Sequence, residues 1–245
     1  MRTLSKNIFL VGASLFLIVF AFYGFDSNLF NNIKVQVESI GTPSDREQFN
    51  IIKNEIFSDI KFLNKESLWD IDISKVIAEI KRKNWIEDVQ LTRLFPNRLE
   101  IGVALKKVEV VYVDDAGIWM PVAGDGTMLA KNSKSLIPDV PYLRGRRFYD
   151  NKELRKSAIE FLHLFPNSGN LTANQISEVY YEPKSGFEVL LAKTGTRVIF
   201  GQEALELKLR RVGKVLEYLE AKEIHGRVID ARFEKKILVR MRKRT

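Results

Sequence analysis

The longest run of apolar positions in this chain lies close to its start. Residues Ile8 to Phe25 form eighteen consecutive positions without a charged side chain, whereas later stretches mix apolar and polar residues. At about 1.5 Å of rise per residue, such a helix spans roughly 27 Å, close to the thickness of a bilayer's hydrocarbon core. A helix is required there because the lipid core offers no hydrogen-bond partners, so backbone N–H and C=O groups must bond to each other within the segment. The pattern therefore predicts one transmembrane helix over residues 8–25.

Charges on either side of this run predict its orientation. Arg2 and Lys6 precede it, and Asp26 follows it directly. Because positive flanks stay in the cytoplasm, we expect residues 1–7 to form a short cytoplasmic tail and the rest of the chain to lie outside. A cleaved signal peptide is the alternative. The apolar run exceeds the usual signal core and no A-x-A-like site follows it, so an uncleaved anchor is the favoured interpretation.

Two kinds of hydrophobic spacing alternate within residues 26–105. Apolar positions three or four residues apart predict two helices, the first opening at the Ser44 capping box and the second at the Asp72 N-cap. A Phe95-Pro96-Asn97 turn separates the last two strands. The predicted order is strand–helix–helix–strand–strand. The strands, marked by alternating apolar and polar positions, include Val35, Leu91 and Ile101.

From Lys106 onwards, shorter patterns predict strands and turns with two flanking helices. An apolar stripe predicts a helix over residues 151–165, which Pro166 ends. Leucine-rich positions after Gly201 predict another helix, whose stripe suits a coiled-coil partner or, as we favour, the domain's own sheet. The chain closes with a predicted β-hairpin whose two strands run from Ile229 to Phe233 and from Ile237 to Met241. The other predicted strands are Val108–Val113, Trp119–Val122, Phe187–Leu191 and Arg197–Phe200.

Composition argues against most catalytic classes. The chain has no cysteine, which excludes disulfides, thiol nucleophiles and thiolate metal sites. Its two histidines, His163 and His225, are far apart and form no metal-ligand spacing such as H-x-x-x-H. No G-x-S-x-G, S-x-x-K or phosphate-loop motif occurs. We therefore predict no catalytic residue, no cofactor, no metal and no small-molecule substrate, and a periplasmic enzyme is the least favoured class.

The formal net charge of +8 is concentrated toward the C-terminus. From Glu220 onwards there are nine lysines and arginines against four acidic residues. Such a basic end suits anionic lipid or an acidic partner, or it is a plain solvated terminus. Nucleic acid is not an expected partner, because the domain is predicted to lie outside the cytoplasm.

The first soluble unit resembles a POTRA domain in length and in its β-α-α-β-β order. The stretch from Trp85 to Val103 resembles the W-V-x-x-(A)-x-V-x-R-x-x-P-x-x-L-x-I-x-V signature of FtsQ/DivIB bacterial cell-division proteins. Three positions depart from the family's usual residues. Asn84 and Val108 stand where proline is common, and Leu105 stands where glutamate is usual. These departures indicate a divergent member and weigh against any partner contact that uses the family's glutamate and proline.

The remaining residues, 106–245, resemble the FtsQ β domain. Trp119–Leu129 resembles its hairpin, Pro138–Gly145 its l-P-x-L-x-G loop, and Val228–Phe233 its v-D-x-R-Y motif. The resemblance implies an α+β fold with an N-terminal transmembrane helix, a POTRA domain at 26–105, and a mostly antiparallel β domain with flanking helices and a basic C-terminal tail. It also implies a single-pass type II protein of the bacterial inner membrane, with its bulk in the periplasm at the division septum.

We expect a non-enzymatic scaffold that binds partners by strand addition. The last strand is predicted at a sheet edge, where unpaired N–H and C=O groups accept a partner's strand. Arg232 and Phe233, on the preceding strand, would add a charge-assisted contact and an apolar anchor; the alternative is an internal ion pair and a core residue. The expected contact residues are Arg232, Phe233, Ile237, Leu238, Val239, Arg240, Met241 and Arg242.

Partners follow from the family resemblance. It implies binding to FtsB with FtsL, and links to FtsW and the septal transpeptidase. A second hypothesis keeps the POTRA domain but changes the role to a membrane-tethered, chaperone-like module for envelope protein secretion or assembly. POTRA units of that kind typically occur in tandem, whereas the patterns here predict one.

Overall fold

The computed structural model describes residues 33–41, 46–61, 63, 68–130 and 139–241. Every helix within those ranges is too short or too polar to cross a bilayer. The predicted tail, the predicted transmembrane helix at residues 8–25 and the Ser44 cap lie outside the described residues. The chain divides after Leu105 into two compact units.

The first unit has the predicted order of elements. Its three-stranded sheet has the order β1-β3-β2, with β3 parallel to β1 and antiparallel to β2. Asp72 caps the second helix, accepting a hydrogen bond from the Lys75 backbone N–H at 3.2 Å, as its position predicts. The elements are β1 (Lys34–Ser39), α1 (Arg46–Asp59), α2 (Ile73–Lys81), β2 (Ile86–Leu94) and β3 (Arg98–Leu105).

The second unit is built on a single eight-stranded sheet of described strands, in the order β11-β10-β9-β8-β7-β6-β4-β5. Helices α3 (Arg146–Asp150), α4 (Lys152–His163) and α5 (Leu205–Ala221) interrupt the strands along the chain. The strands are β4 (Val108–Val113), β5 (Trp119–Ala123), β6 (Tyr142–Arg144), β7 (Ile176–Glu182), β8 (Gly186–Leu191), β9 (Arg197–Gly201), β10 (Gly226–Asp230) and β11 (Leu238–Met241).

This sheet is mixed. Of its described pairings, β4–β5, β7–β8, β8–β9 and β10–β11 are antiparallel, whereas β4–β6, β6–β7 and β9–β10 are parallel. Antiparallel pairs are therefore in the majority, as expected, but three of the seven described pairs are parallel. Each parallel pair needs a crossover connection, and the one between β9 and β10 is helix α5.

Aromatic side chains fill the centre of the second unit's core. The Phe161 ring of α4 stacks on Phe187 of β8 with centroids 4.8 Å apart, and it meets Phe165 and Phe200 edge-on at 5.2 and 5.4 Å. These offset and edge-to-face contacts are the arrangements that ring quadrupoles favour. Helix α4 is thereby fixed on one face of the sheet.

The apolar stripe of α5 is buried in that same core. Leu209, Val212 and Leu219 are buried, and Leu205 and Leu216 pack beside them. The stripe that suited a coiled-coil partner therefore packs on the domain's own sheet, which is the interpretation we favoured.

Candidate functional site

One edge of the eight-stranded sheet is covered by its own chain. Strand β5 contains Pro121, which has no N–H to offer to a neighbouring strand. The Pro121 carbonyl accepts a hydrogen bond from the Leu129 N–H at 2.8 Å, and Val122 forms an antiparallel bridge with Met128. Proline and a covering segment are both devices by which sheets prevent pairing with other chains.

The opposite edge is strand β11. Its neighbour is β10, and the order of described strands ends there. Leu238 and Met241 expose 44% and 52% of their surface, and Arg240 is also exposed. An edge strand of this kind presents backbone N–H and C=O groups on its outer side. The prediction that the last strand forms a sheet edge is confirmed, although the strand begins at Leu238 and not at Ile237.

Packing and hydrogen bonds fix this edge strand on the domain. Ile237 and Val239 pack against the core, and Val239 lies opposite buried Ile229 of β10. At the start of β10, the buried Thr196 hydroxyl donates to the Gly226 carbonyl at 2.8 Å. The outer strand therefore packs on the core, and the inner strand is tied to Thr196 before β9 by a side-chain hydrogen bond, as suits a preorganised binding edge.

Arg232 forms an ion pair within its own domain. Its Nε and Nη2 donate to the two Asp230 carboxylate oxygens at 2.9 and 2.6 Å, and its backbone N–H donates to Oδ1 at 3.1 Å. These hydrogen bonds hold the pKa of Asp230 below its usual value, although partial burial opposes ionisation, and they raise the pKa of Arg232. The interpretation of Arg232 as an internal ion pair is therefore the one that the contacts support.

Neither Arg232 nor Phe233 lies on strand β10, which ends at Asp230. The prediction that both residues lie on the strand is therefore wrong. The Arg232 N–H donates to the Asp230 side chain, a local turn contact, instead of to a neighbouring strand. Phe233 is 40% exposed, so it is not a core residue, and the Lys236 ammonium lies 5.3 Å from its ring centroid. Phe233 therefore remains available beside the edge.

A contact that sequence reasoning missed holds the segment between β10 and β11. Arg211 on α5 donates to the Glu234 carbonyl, 23 residues further along the chain. No local pattern marks such a residue, because its partner is fixed by the tertiary fold. Arg242, the last of the expected contact residues, lies outside the described residues.

The structure places His163 beside one acidic side chain. His163 Nε2 lies 3.5 Å from Glu109 Oε2, and the histidine side chain is 62% exposed. Among the described residues, no cluster of three histidine, aspartate or glutamate side chains is placed to hold a metal ion. The open strand edge of β11 is the feature on which we base a functional assignment.

Comparison with known families matches both units. The model of the FtsQ-type POTRA domain matches residues 49–104, and that of the C-terminal domain of cell division protein FtsQ/DivIB matches residues 110–232. The second match alone covers half of the chain. The chain belongs to the FtsQ/DivIB family. Its first unit is the FtsQ-type POTRA domain and its second the FtsQ/DivIB C-terminal β domain, as the signature residues predicted. The matched range ends at Arg232, so strand β11 lies beyond it.

Several FtsQ and DivIB proteins are similar to this chain. The cell division protein FtsQ of Geobacter sp. (strain M21) is 26% identical over 189 residues, 71% of this chain and 66% of that protein. FtsQ of Anaeromyxobacter sp. (strain K) is 24% identical over 216 residues, 84% and 69% of the two chains. DivIB of Solibacillus silvestris (strain StLB046) is 25% identical over 160 residues, which are 65% of this chain and 54% of that protein. The aligned part of this chain covers between 54% and 69% of the length of these three relatives.

Proposed function

We propose that this FtsQ/DivIB-family protein is a non-enzymatic scaffold of the bacterial division machinery that recruits its partners by strand addition on β11. The observation that carries the proposal is the contrast between the two edges of one sheet. Pro121 and residues 127–129 cover the β5 edge, whereas β11 presents its outer backbone groups and exposed side chains. An open edge can accept a partner's strand, whereas a covered edge resists pairing with another chain.

The edge offers separate sources of affinity and specificity. Outer N–H and C=O groups of residues 238–241 supply main-chain hydrogen bonds to any extended partner segment. Val239 lies opposite Ile229 on the helix-covered side of the sheet, so Leu238 and Arg240 face the other side. There, an apolar and a cationic side chain next to the added strand select its sequence.

The partner class follows from the family. We assign the partner strand to a protein of the FtsB type in complex with FtsL, with further links to FtsW and the septal transpeptidase. From the predicted span at residues 8–25 we infer an inner-membrane protein with both domains in the periplasm, and from the family we infer a location at the septum. The basic residues Arg240 and Arg242 suit an acidic segment of the partner.

The absence of cysteine from the sequence allows a direct test. A single cysteine replaces Arg240, and a control cysteine replaces Ile118, which is 57% exposed in the same domain. Cells carry a second cysteine at successive positions of the FtsB-type partner, and disulfide formation is scored by gel. We expect Arg240→Cys to crosslink along one extended partner segment and Ile118→Cys to give no band. Crosslinking from neither position, while the partner still co-purifies, would overturn the β11 assignment.

Depletion of the protein in its own bacterium tests the division role separately. Long multinucleoid filaments without constricted septa are the result that we expect. Cells of normal length with envelope or secretion defects would contradict it and favour a chaperone-like role.

A further inference from the structure

Two exposed aromatic side chains lie at one end of the POTRA domain. Phe95, in the turn between β2 and β3, exposes 77% of its surface, and Trp69, just before helix α2, exposes 61%. Arg93, two residues before Phe95, donates hydrogen bonds to the carbonyls of Leu68 at 3.0 Å and Ile71 at 2.6 Å. These bonds bracket Trp69 and hold its segment beside the end of β2. Both aromatic side chains therefore belong to the same end of the domain.

The chain enters the domain at this same end. Lys34, the first residue of β1, donates its backbone N–H to the Asn97 carbonyl of the turn at 2.8 Å, and it pairs with Arg98 across the parallel ladder. The predicted transmembrane helix ends at Phe25, so seven residues, 26–32, separate it from Ile33. Seven residues reach at most roughly 25 Å when fully extended. A membrane span at the predicted position would therefore keep the start of β1, and with it the turn, within roughly 25 Å of chain from the bilayer.

The side chains at this end have the chemistry of a membrane interface. Tryptophan is enriched at the level of lipid headgroups, where its ring is half in and half out of water, and a phenylalanine nearby adds apolar surface. Lys34 and Arg98 are both exposed and supply two cations for lipid phosphates. Exposed Asp70 opposes such binding.

We propose that the POTRA domain docks on the periplasmic face of the bilayer through Trp69 and Phe95, with Lys34 and Arg98 facing the phosphates of anionic phospholipid. This inference rests on the membrane anchor included in the proposed function, but not on strand addition at β11. The tether raises the local concentration of this surface at the bilayer, so weak intrinsic lipid affinity is sufficient. Docking would fix the domain's height and tilt above the membrane.

Fluorescence quenching in the full chain tests the docking. The protein is reconstituted into vesicles of phosphatidylethanolamine and phosphatidylglycerol whose acyl chains carry bromine near the headgroup. The sequence has three tryptophans, and Trp85 and Trp119 are buried. We expect brominated lipid to remove the Trp69 emission, at most about a third of the total, and W69F to lose that quenching. Equal quenching of the wild-type protein and W69F would overturn the proposal.

Two further variants separate docking from mere proximity. F95S and the double variant K34E/R98E should each reduce the Trp69 quenching, whereas Y218S, at a tyrosine 60% exposed in the second unit, should not. Unchanged quenching in both F95S and K34E/R98E would contradict insertion of this surface. Circular dichroism of each variant verifies that the fold is retained.

The outcomes are distinguishable from those of the proposed function. Crosslinking through Arg240→Cys with no Trp69 quenching would leave the scaffold standing and overturn the docking. Quenching without crosslinking would support docking and overturn strand addition. Release of the full chain from vesicles at alkaline pH would contradict the anchor, and with it the docking.

Discussion

A proline scan along strand β11 should divide its residues into two alternating classes. Successive N–H groups of a strand point to opposite sides, so every second residue of Leu238–Met241 donates toward β10 and the others donate outward. Proline removes the N–H and adds a ring where it stood. At inward positions we expect a loss of stability with partner binding reduced only through unfolding. At outward positions we expect lost partner binding with the free energy of unfolding nearly unchanged.

The size of the binding effect follows from the length of the edge. Four residues offer about two outward N–H donors, so one proline removes about half of them. Each lost donor leaves a partner carbonyl buried without a hydrogen bond, which costs about 1–3 kcal/mol. At 1.4 kcal/mol per factor of ten, Kd should rise about 5- to 140-fold.

Titration calorimetry with the periplasmic part of the FtsB-type partner measures Kd, and urea unfolding measures stability. Alanine at the same positions is the matched control, since it truncates the side chain but keeps the N–H. We expect alanine to weaken binding less than proline does at outward positions. If alanine and proline weakened binding equally at all four positions, side chains and not the backbone would carry the contact, and strand addition would be refuted.

Three further predictions concern stability. The pKa of Asp125 falls to about 2. Burial opposes ionisation of this carboxyl, but its hydrogen bonds outweigh burial, foremost the one from the Lys106 ammonium 2.8 Å away. Since the unfolded pKa is about 3.9, the stabilisation by Asp125 is complete above about pH 5 and is lost as pH falls through about 2. Because the Asp125 side chain is 47% exposed, solvent screening limits this stabilisation to about 1 kcal/mol. Urea unfolding should therefore show a smaller acid loss for Asp125→Asn than for wild type, and equal losses would contradict the assignment. Gly186→Ala should be far more destabilising than Gly117→Ala, although both glycines have a positive φ. A Cβ at Gly186 would lie 2.1 Å from a backbone carbon, whereas a Cβ at Gly117 would meet open space. Similar thermal midpoints for the two would refute that reasoning. Arg155→Met should lower the free energy of unfolding by about 3 kcal/mol or more, because the buried guanidinium donates to three backbone carbonyls at 2.6, 2.7 and 2.9 Å. Lys156→Met, at an exposed neighbouring position, is the control in the same assay and should lower it by less than about 0.5 kcal/mol. A cost below 1 kcal/mol at Arg155 would show that water replaces those bonds.

The POTRA domain was predictable from local pattern because each of its elements has a regular period and a clear terminus. Asp72 caps α2 as its sequence position indicates, and alternation from Leu99 to Leu105 matches β3. Strand β7 escaped prediction because a bulge between Ile176 and Glu178 breaks its alternation. Strand β6, Tyr142–Arg144, has three residues and is defined by its parallel neighbours on both sides, which no local pattern encodes.

For the candidate site, local sequence predicted the edge position of the last strand but not the details around it. The terminal strand pattern was enough to indicate β11. Where Arg232 and Phe233 leave β10, the Arg232 N–H donates to the Asp230 side chain, a local contact that competes with the strand ladder. The closure of the β5 edge depends on residues 127–129 folding back onto Pro121, and that contact is tertiary.

Hydrogen–deuterium exchange across residues 237–241 of the full chain, with and without the FtsB–FtsL-type partner, would decide whether a partner strand adds to β11. Strand addition predicts that outward amides of β11 become protected in the complex, because they donate to the partner's carbonyls. Amides of β5, the covered edge, should exchange at the same rate in both states. Unchanged exchange throughout β11 in a saturated complex would show that the partner does not add a strand to this edge.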